Sequence, residues 1–348
     1  MLSNYIIKIT VISIFLIPKL LFAECAKPIM PSDIEWNSWI NDISIEAENY
    51  GIGEKTIKKE LSDLKPIEKI ILRDRCQPES TISFKEYVYY RLDKTRIYNG
   101  RNKSIEFQKQ LTRVSKEFDI QKEIILAIWG LESYYGKNQG KTKIIPALAT
   151  LTFDKKRSEF YKKQLLAALK IIDNKIVSSE NLLGSWAGAM GQVQFLPTTF
   201  FDSALDFDNN GKIDIWNSEL DVFASIANYL TSLEKAPWDS NLSWGIEVTP
   251  PKNISSIYDS LKQIDAKGCY AVRTMSIEKN INEWINLGFK NIIPMDKLNM
   301  NVQARLVSPD GMNGRMFLVF RNYKSILYYN CSHYYGLTVG LLSDKLKE

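Results

Sequence analysis

Ile124-Ile125-Leu126-Ala127-Ile128-Trp129-Gly130-Leu131-Glu132-Ser133-Tyr134-Tyr135-Gly136 is the stretch on which the fold turns. It predicts a strongly apolar helix over residues 121–135, stopped by Gly136. One carboxylate breaks its apolar character. Glu132 follows Ile128 by four residues and Ile125 by seven, so the three share a helix face. A carboxylate on an apolar face is costly unless paired or protonated. The last turn puts it at the negative end of the helix dipole, which favours the neutral acid, and burial acts in the same direction. A carboxylic acid kept neutral near pH 7 is the group a glycosidase uses to protonate a leaving oxygen. On the helix pattern alone, a solvent-facing Glu in a frayed last turn is the alternative.

Outward from this helix, the N-terminal part is helical. Residues 36–64 keep Ile43, Ala47 and Tyr50 at helical spacing until Gly51 and Gly53 interrupt. Phe107, Leu111, Val114 and Phe118 recur on one helix face, and residues 159–172 and 221–233 form further amphipathic helices. Beyond Pro237 the pattern changes. Residues 245–249, 270–275, 303–307 and 316–320 are rich in apolar or β-branched side chains and read as strands, with helices at 281–287 and 337–346. The expected class is α+β, mainly α: a helical catalytic core with a small β subdomain inserted at about residues 242–325.

The 348 residues are 45% apolar and 24% charged, a globular balance. The formal charge of +5 comes without a long basic block, so nucleic acid is not an expected partner. Residues 1–23 read as a secretory signal peptide: Lys8, an apolar run over 9–17 broken by Pro18 and Lys19, and a small residue at Ala23. A retained anchor is the alternative, and membrane association stays open with it. The apolar run falls short of the ~20 residues a spanning helix needs. Removing the segment leaves residues 24–348, with 43 basic against 40 acidic residues. Four cysteines in an oxidising compartment favour disulfides. Cys25–Cys76 with Cys269–Cys331 is the first pairing expected, each within one half of the chain. The single histidine, His333, excludes a His-rich metal site and disfavours a Ser-His-Asp hydrolase. Acid/base work falls mainly to Asp, Glu, Lys or Tyr.

Two further segments carry chemistry. Gly184-Ser185-Trp186-Ala187-Gly188-Ala189-Met190-Gly191-Gln192-Val193-Gln194-Phe195-Leu196-Pro197 has small residues that let a ligand approach the backbone. Trp186 and Phe195 are expected to offer ring faces to sugars, and Gln194 an amide donor and acceptor. A close helix–helix crossing fits the same composition. Asp206-Phe207-Asp208-Asn209-Asn210-Gly211-Lys212-Ile213-Asp214 follows the first part of an EF-hand loop. It offers Asp206, Asp208, Asn210 and the Lys212 carbonyl as calcium ligands. Position 12 is Asn217, so Asp221 would have to close the site. An Asx-rich turn without metal is the alternative.

In this order and spacing the three segments resemble the soluble and membrane-bound lytic transglycosylases B of Gram-negative bacteria. The likeness extends to Arg73-Asp74-Arg75, Gln77-Pro78-Glu79, Arg96-Ile97, Gly100-Arg101, Ala147-Leu148-Ala149-Thr150-Leu151, Asn228-Tyr229, Trp244-Gly245, Glu283-Trp284, Leu287-Gly288, Tyr329-Asn330, Ser332 and Tyr335. It covers the chain from about Trp36 to its C-terminus. The resemblance implies a lysozyme-like core, a structural calcium, no catalytic cofactor, and Glu132 as the single acid/base. It assigns Ser185, Gln194, Tyr229, Tyr329, Asn330 and Tyr335 to a glycan cleft, with Tyr87 on a looser match. One extra residue separates the metal loop from Asp221 relative to the family pattern. The implied substrate is the peptidoglycan strand, the implied place the periplasm, and other cell-wall enzymes are the implied protein partners. The implied product is a 1,6-anhydromuramoyl end. A hydrolase using water and a non-catalytic peptidoglycan-binding scaffold are the competing readings.

Overall fold

The computed structural model describes residues 27–75, 82–154, 156–263, 267–290 and 301–347. The expected signal peptide and the expected Cys25–Cys76 pair lie outside them.

The chain opens with helices α1 (Asp33–Asn49), α2 (Glu54–Leu61), α3 (Glu68–Arg75), α4 (Phe84–Arg91), α5 (Lys94–Glu106) and α6 (Gln108–Glu117). Helix α7 (Lys122–Ser133) follows, then strand β1 (Thr142–Lys143), α8 (Ile144–Phe153), α9 (Ser158–Asp173) and β2 (Leu183–Gly184). Helices α10 (Pro197–Ser203) and α11 (Glu219–Thr231) complete this part. The next stretch runs β3 (Gly245–Val248), α12 (Ile254–Ile257), α13 (Tyr270–Thr274), β4 (Glu278–Asn280), α14 (Ile281–Asn286), β5 (Gln303–Val307) and β6 (Met316–Val319). Helices α15 (Arg321–Tyr329) and α16 (His333–Lys347) close the chain. No helix among the described residues is long and apolar enough to cross a membrane.

Sequence explains several boundaries. Ser32, Ser83 and Asn280 each begin a helix with a reciprocal capping box, to Glu35, Glu86 and Glu283. Helix α7 is buried on every side from Ile124 to Leu131, because α5, α6, α11 and α16 surround it. This central position is what an all-round apolar helix requires.

The larger sheet is antiparallel in the order β3-β6-β5-β4. All four residues of β6 are buried, and alternation divides them between two cores. Phe317 and Val319 join the large helical core, while Met316 and Leu318 join a smaller one with Trp284, Phe289 and Leu306. Trp244, just before β3, lies against α16 with its Nε1 donating to Asp344 Oδ2 at 3.0 Å. A Cβ on Gly340 would come within 2.1 Å of that indole, so only glycine allows the approach.

One expected strand is a helix. Residues 270–274 form α13, and the buried positions Ala271, Val272 and, just past its end, Met275 follow helical spacing rather than alternation. The disulfide Cys269–Cys331 anchors its start, with the Cα atoms 6.1 Å apart. That pairing agrees with expectation.

Candidate active site

Glu132 occupies the last turn of α7, partly buried, above the fully buried Ile125 and Ile128. Desolvation pushes its carboxyl up to about 7. The Tyr335 hydroxyl and the positive charge of Arg91 pull weakly the other way. Tyr335 Oη is itself buried and makes no hydrogen bond of good geometry, so its interaction with the carboxyl is close but not locked. Such an acid is half protonated near neutral pH, as a proton donor that must also become a base requires.

The chain turns sharply after Glu132. Tyr134, Tyr135 and Gly136 are all left-handed, with φ of 54°, 59° and 82°. Two non-glycine residues there cost on the order of 1–2 kcal/mol each. Tyr135 recovers this through packing: its Oη donates to the Arg96 carbonyl at 3.0 Å. Its ring fills the space beside Gly130, where a Cβ would lie 2.7 Å from the ring atoms. The buried Arg96 guanidinium donates in turn to the Gly130 carbonyl at 2.6 Å. The carboxylate end of α7 is thus held by a braced turn.

A tyrosine cluster surrounds this end. Tyr335 on α16 and Tyr329 on α15 stack at 6.5 Å with planes 13° apart, and both hydroxyls are pushed well above their usual range by burial and then by the Glu132 charge. Tyr329 donates to the Val193 carbonyl at 2.6 Å, and Tyr229 on α11 donates to the Tyr328 carbonyl at 2.6 Å. The Tyr229 and Tyr329 rings lie 5.0 Å apart. Tyr87 approaches from α4, its ring 5.5 Å from that of Tyr334. Asp310 fixes α4 in place by accepting from Phe84 N at 2.8 Å and Tyr334 Oη at 2.9 Å.

The segment 184–197 enters through Tyr329. Ser185 Oγ accepts from Ala187 N and Ala189 N at 3.3 and 3.0 Å, shaping the loop from within. Gln194, left-handed at φ 50°, gives both amide hydrogens to its own surroundings: to Gln139 O at 3.1 Å and Gly191 O at 2.9 Å. Its donor function is therefore internal, and its carbonyl oxygen is what it can offer a ligand. Phe195 is buried in the core, where its ring touches Tyr229 and Tyr329, so it is no sugar platform. Trp186 is half-buried against the core. Asn330 ends α15 and is exposed beside Tyr329.

Two contributors escaped the sequence reading. Arg91 projects from the same face of α4 as Tyr87, four residues earlier, and its guanidinium lies 5.4 Å from that ring. It lines a cavity of about 360 Å³ with Tyr87, Tyr90, Arg96 and Ile82. Gln192 is the buried link between α7 and the acidic loop: it accepts from Trp129 Nε1 at 2.7 Å and donates to Trp216 O at 3.0 Å. The spacing of Tyr87 and Arg91 was a usable signal for the first; nothing in the sequence marks Gln192 above Gln194.

The acidic loop brings carboxylate oxygens of Asp206, Asp208 and Asp221 within 4.8 Å of one another. Asp221 is fully buried, accepts from Phe207 N and Asp214 N at 2.9 Å each, and is raised by desolvation. Asn210 and Lys212 are exposed and neighbour the cluster, with Asn210 Oδ1 accepting from Lys212 N. Three carboxylates converging on one point, one of them buried, match the chemistry of a hard divalent cation with oxygen ligands. Asp214 instead caps its own turn, accepting from Trp216 N and Asn217 N.

A helical body with a desolvated carboxyl at the end of its central helix, ringed by tyrosines, fits a glycan-cleaving class of enzyme. The chain matches the transglycosylase SLT domain family over residues 35–344 and belongs to it. It is 26% identical over 308 residues to the membrane-bound lytic murein transglycosylase B of Escherichia coli (strain K12), spanning 85% of this chain and 78% of that protein. The crystal structure of SltB3 from Pseudomonas aeruginosa in complex with NAG-anhNAM-pentapeptide is similar with a TM-score of 0.79 at 36% identity, covering 90% of this chain and 79% of that one. SltB1 from the same organism shares the fold, with a TM-score of 0.74 at 24% identity over 88% and 98% of the two chains.

Proposed function

We propose that this lytic transglycosylase cleaves the β-1,4 bond between N-acetylmuramic acid and N-acetylglucosamine in peptide-bearing peptidoglycan strands, with Glu132 as its single acid/base. The carrying observation is the place of Glu132, in the last turn of α7 above the buried Ile125 and Ile128 and beside Tyr335, where desolvation pushes its carboxyl up to about 7. In the neutral form it donates its proton to the glycosidic oxygen as that bond breaks. Charge develops on the muramoyl ring as an oxocarbenium-like centre. The resulting carboxylate then takes the proton of the C6 hydroxyl, whose oxygen closes onto C1 of the same sugar. The acid begins and ends the cycle protonated, and no water is consumed. An intramolecular nucleophile needs only positioning, which is worth several kcal/mol.

A two-carboxylate hydrolase would need a second acid about 5–9.5 Å from the first. Among the described residues the charge acting on Glu132 is that of Arg91, and Asp154 is engaged by Arg75 at 2.5 Å. This favours the intramolecular route. Tyr87, Tyr229, Tyr329, Asn330 and Tyr335, with Ser185 and Gln194, would form the glycan cleft. Residues 24–348 would make up the catalytic region, and residues 242–325 its β subdomain. Calcium at Asp206, Asp208, Asn210, the Lys212 carbonyl and Asp221 would neutralise the converging carboxylates and stiffen the loop. Action on peptidoglycan would place the protein in the periplasm.

Digestion of purified peptidoglycan in heavy-oxygen water tests the reaction. Mass analysis should find anhydromuropeptides free of solvent oxygen. Reducing ends labelled from water would replace this reading with the hydrolase, and no cleavage at all with the scaffold.

A further inference from the structure

A cavity of about 540 Å³ lies between the β sheet region and the first turn of α16, outside the cluster around Glu132. This is the size range that encloses an organic ligand rather than a single ion. Its charged lining is of one sign: Lys262 and Arg273 face it, and no Asp or Glu lines it among the described residues. Lys262 is partly compensated by Asp259 at 2.6 Å, an exposed pair worth little. Arg273 has no ion pair among the described residues and is exposed on α13. Burial lowers the His333 imidazole to about 4, so it stands neutral in the wall, held by Thr274 Oγ1 and Tyr323 Oη at 3.0 Å each. Hydroxyls of Thr274, Ser308 and Ser332 complete a polar, positively charged lining.

The cavity adjoins the turn that carries residues of the candidate cleft. Ser332 and Tyr334 line it, while Asn330 and Tyr335 in the same turn belong to the glycan site. Tyr334 faces the cavity and lies against Tyr87 as well. The Cys269–Cys331 bridge fastens the helix that carries Arg273 to this turn. The two sites are thus one rigid neighbourhood with different chemistry: aromatic rings and a neutral acid on one side, two cations and hydroxyls on the other.

We infer that this cavity receives the acidic peptide attached to the muramoyl sugar of the bound strand, with peptide carboxylates meeting Arg273 and Lys262. The inference rests on the reading that the cleft binds peptidoglycan. It makes the second site a specificity device for strands that still carry their peptides. A stem lodged there anchors the strand laterally, so it acts on binding rather than on proton transfer at Glu132.

The test has two arms on the full-length protein. In the first, a free acidic stem pentapeptide is titrated calorimetrically into wild type and into the Lys262→Ala/Arg273→Ala variant. Binding should weaken about fivefold in the variant and fall with added salt. A peptide with its carboxylates amidated should bind wild type about fivefold more weakly, and the variant no more weakly than that. In the second arm, kcat/KM is compared on peptide-bearing strands and on strands stripped of peptide by an amidase. The variant should lose about fivefold on peptide-bearing strands, through KM, and cleave stripped strands as wild type does. Absence of binding by the free peptide to wild type overturns the inference, as does an equal loss on both strands. If wild type cleaves neither strand yet binds the peptide through Arg273 and Lys262, the cavity assignment stands and the enzymatic reading falls.

Discussion

Glu132 carries its chemistry at a cost to the fold. Its carboxyl rises from the ordinary 4.5 to about 7 because burial disfavours the charged form. The native state therefore holds this proton more tightly than the unfolded chain, and stability from this group is fullest below pH 4.5. It is lost as pH rises towards and through 7. The full shift corresponds to about 3 kcal/mol, an upper figure because the side chain is partly solvated. Glu132→Gln removes the ionisation and keeps the shape. Thermal melts should show the variant close to wild type at pH 4 and more stable at pH 8, by up to about 3 kcal/mol. Peptidoglycan cleavage should drop by at least a hundredfold, within the usual range for loss of a general acid. Equal melting of the two proteins at pH 8 would mean that Glu132 is not desolvated as described. Wild-type cleavage rates in the variant would remove it from the mechanism.

At the scale of elements, the acid depends on what supports α7. Trp129, three residues before Glu132, is tied by Gln192 to the carbonyl of Trp216, and Gln192 N also donates to Ile215 O at 2.9 Å. Asp214 N donates to the buried Asp221, so this bridge ends at the acidic loop. Gln192→Leu would leave the buried Trp129 Nε1 without a partner and should cost about 2–4 kcal/mol in urea unfolding, from one buried and one part-buried hydrogen bond lost. A change under 0.5 kcal/mol would mean that the bridge is not needed. Calcium at millimolar concentration should raise the melting temperature by about 5 °C, since it binds the folded state alone. Asp208→Ala removes an exposed ligand, so it should erase that shift and leave melting in chelator unchanged. Melting of wild type that ignores calcium would count against the site. Periodicity made this layer legible where burial is periodic: α6 and α11 lie where their apolar spacing puts them, and α7, buried all round, lies where its unbroken apolar run puts it. It failed at α13, because six residues are too few to separate a strand from a helix when a disulfide sets the geometry. It also chose Gln194 over Gln192 as the amide to watch, since hydrogen-bond partners from distant segments leave no local trace.

At the scale of the molecule, the helical body and the small sheet are coupled through the C-terminal turn that also carries site residues. Residues 330–335 hold Asn330 and Tyr335 of the candidate cleft, and between them Cys331 ties the turn to Cys269. The bridge closes a loop of 62 residues, which corresponds to about 4 kcal/mol of chain entropy removed from the unfolded state. Its position gives it a second effect. Without it, α13 and the start of α16 keep only weaker ties, such as Thr274 to His333 at 3.0 Å. The Tyr335 hydroxyl has no hydrogen bond of good geometry to hold it, so its place beside Glu132 depends on α16 packing. Replacing both cysteines, Cys269→Ser/Cys331→Ser, should therefore lower stability by about 2–4 kcal/mol. It should also reduce kcat at temperatures well below the new melting point, where circular dichroism still reports a folded chain. The double variant leaves any other cysteine pairing intact, which chemical reduction would not. A fall in stability with kcat preserved would assign the bridge to the fold alone, and unchanged melting would show that packing of the two cores already fixes the turn.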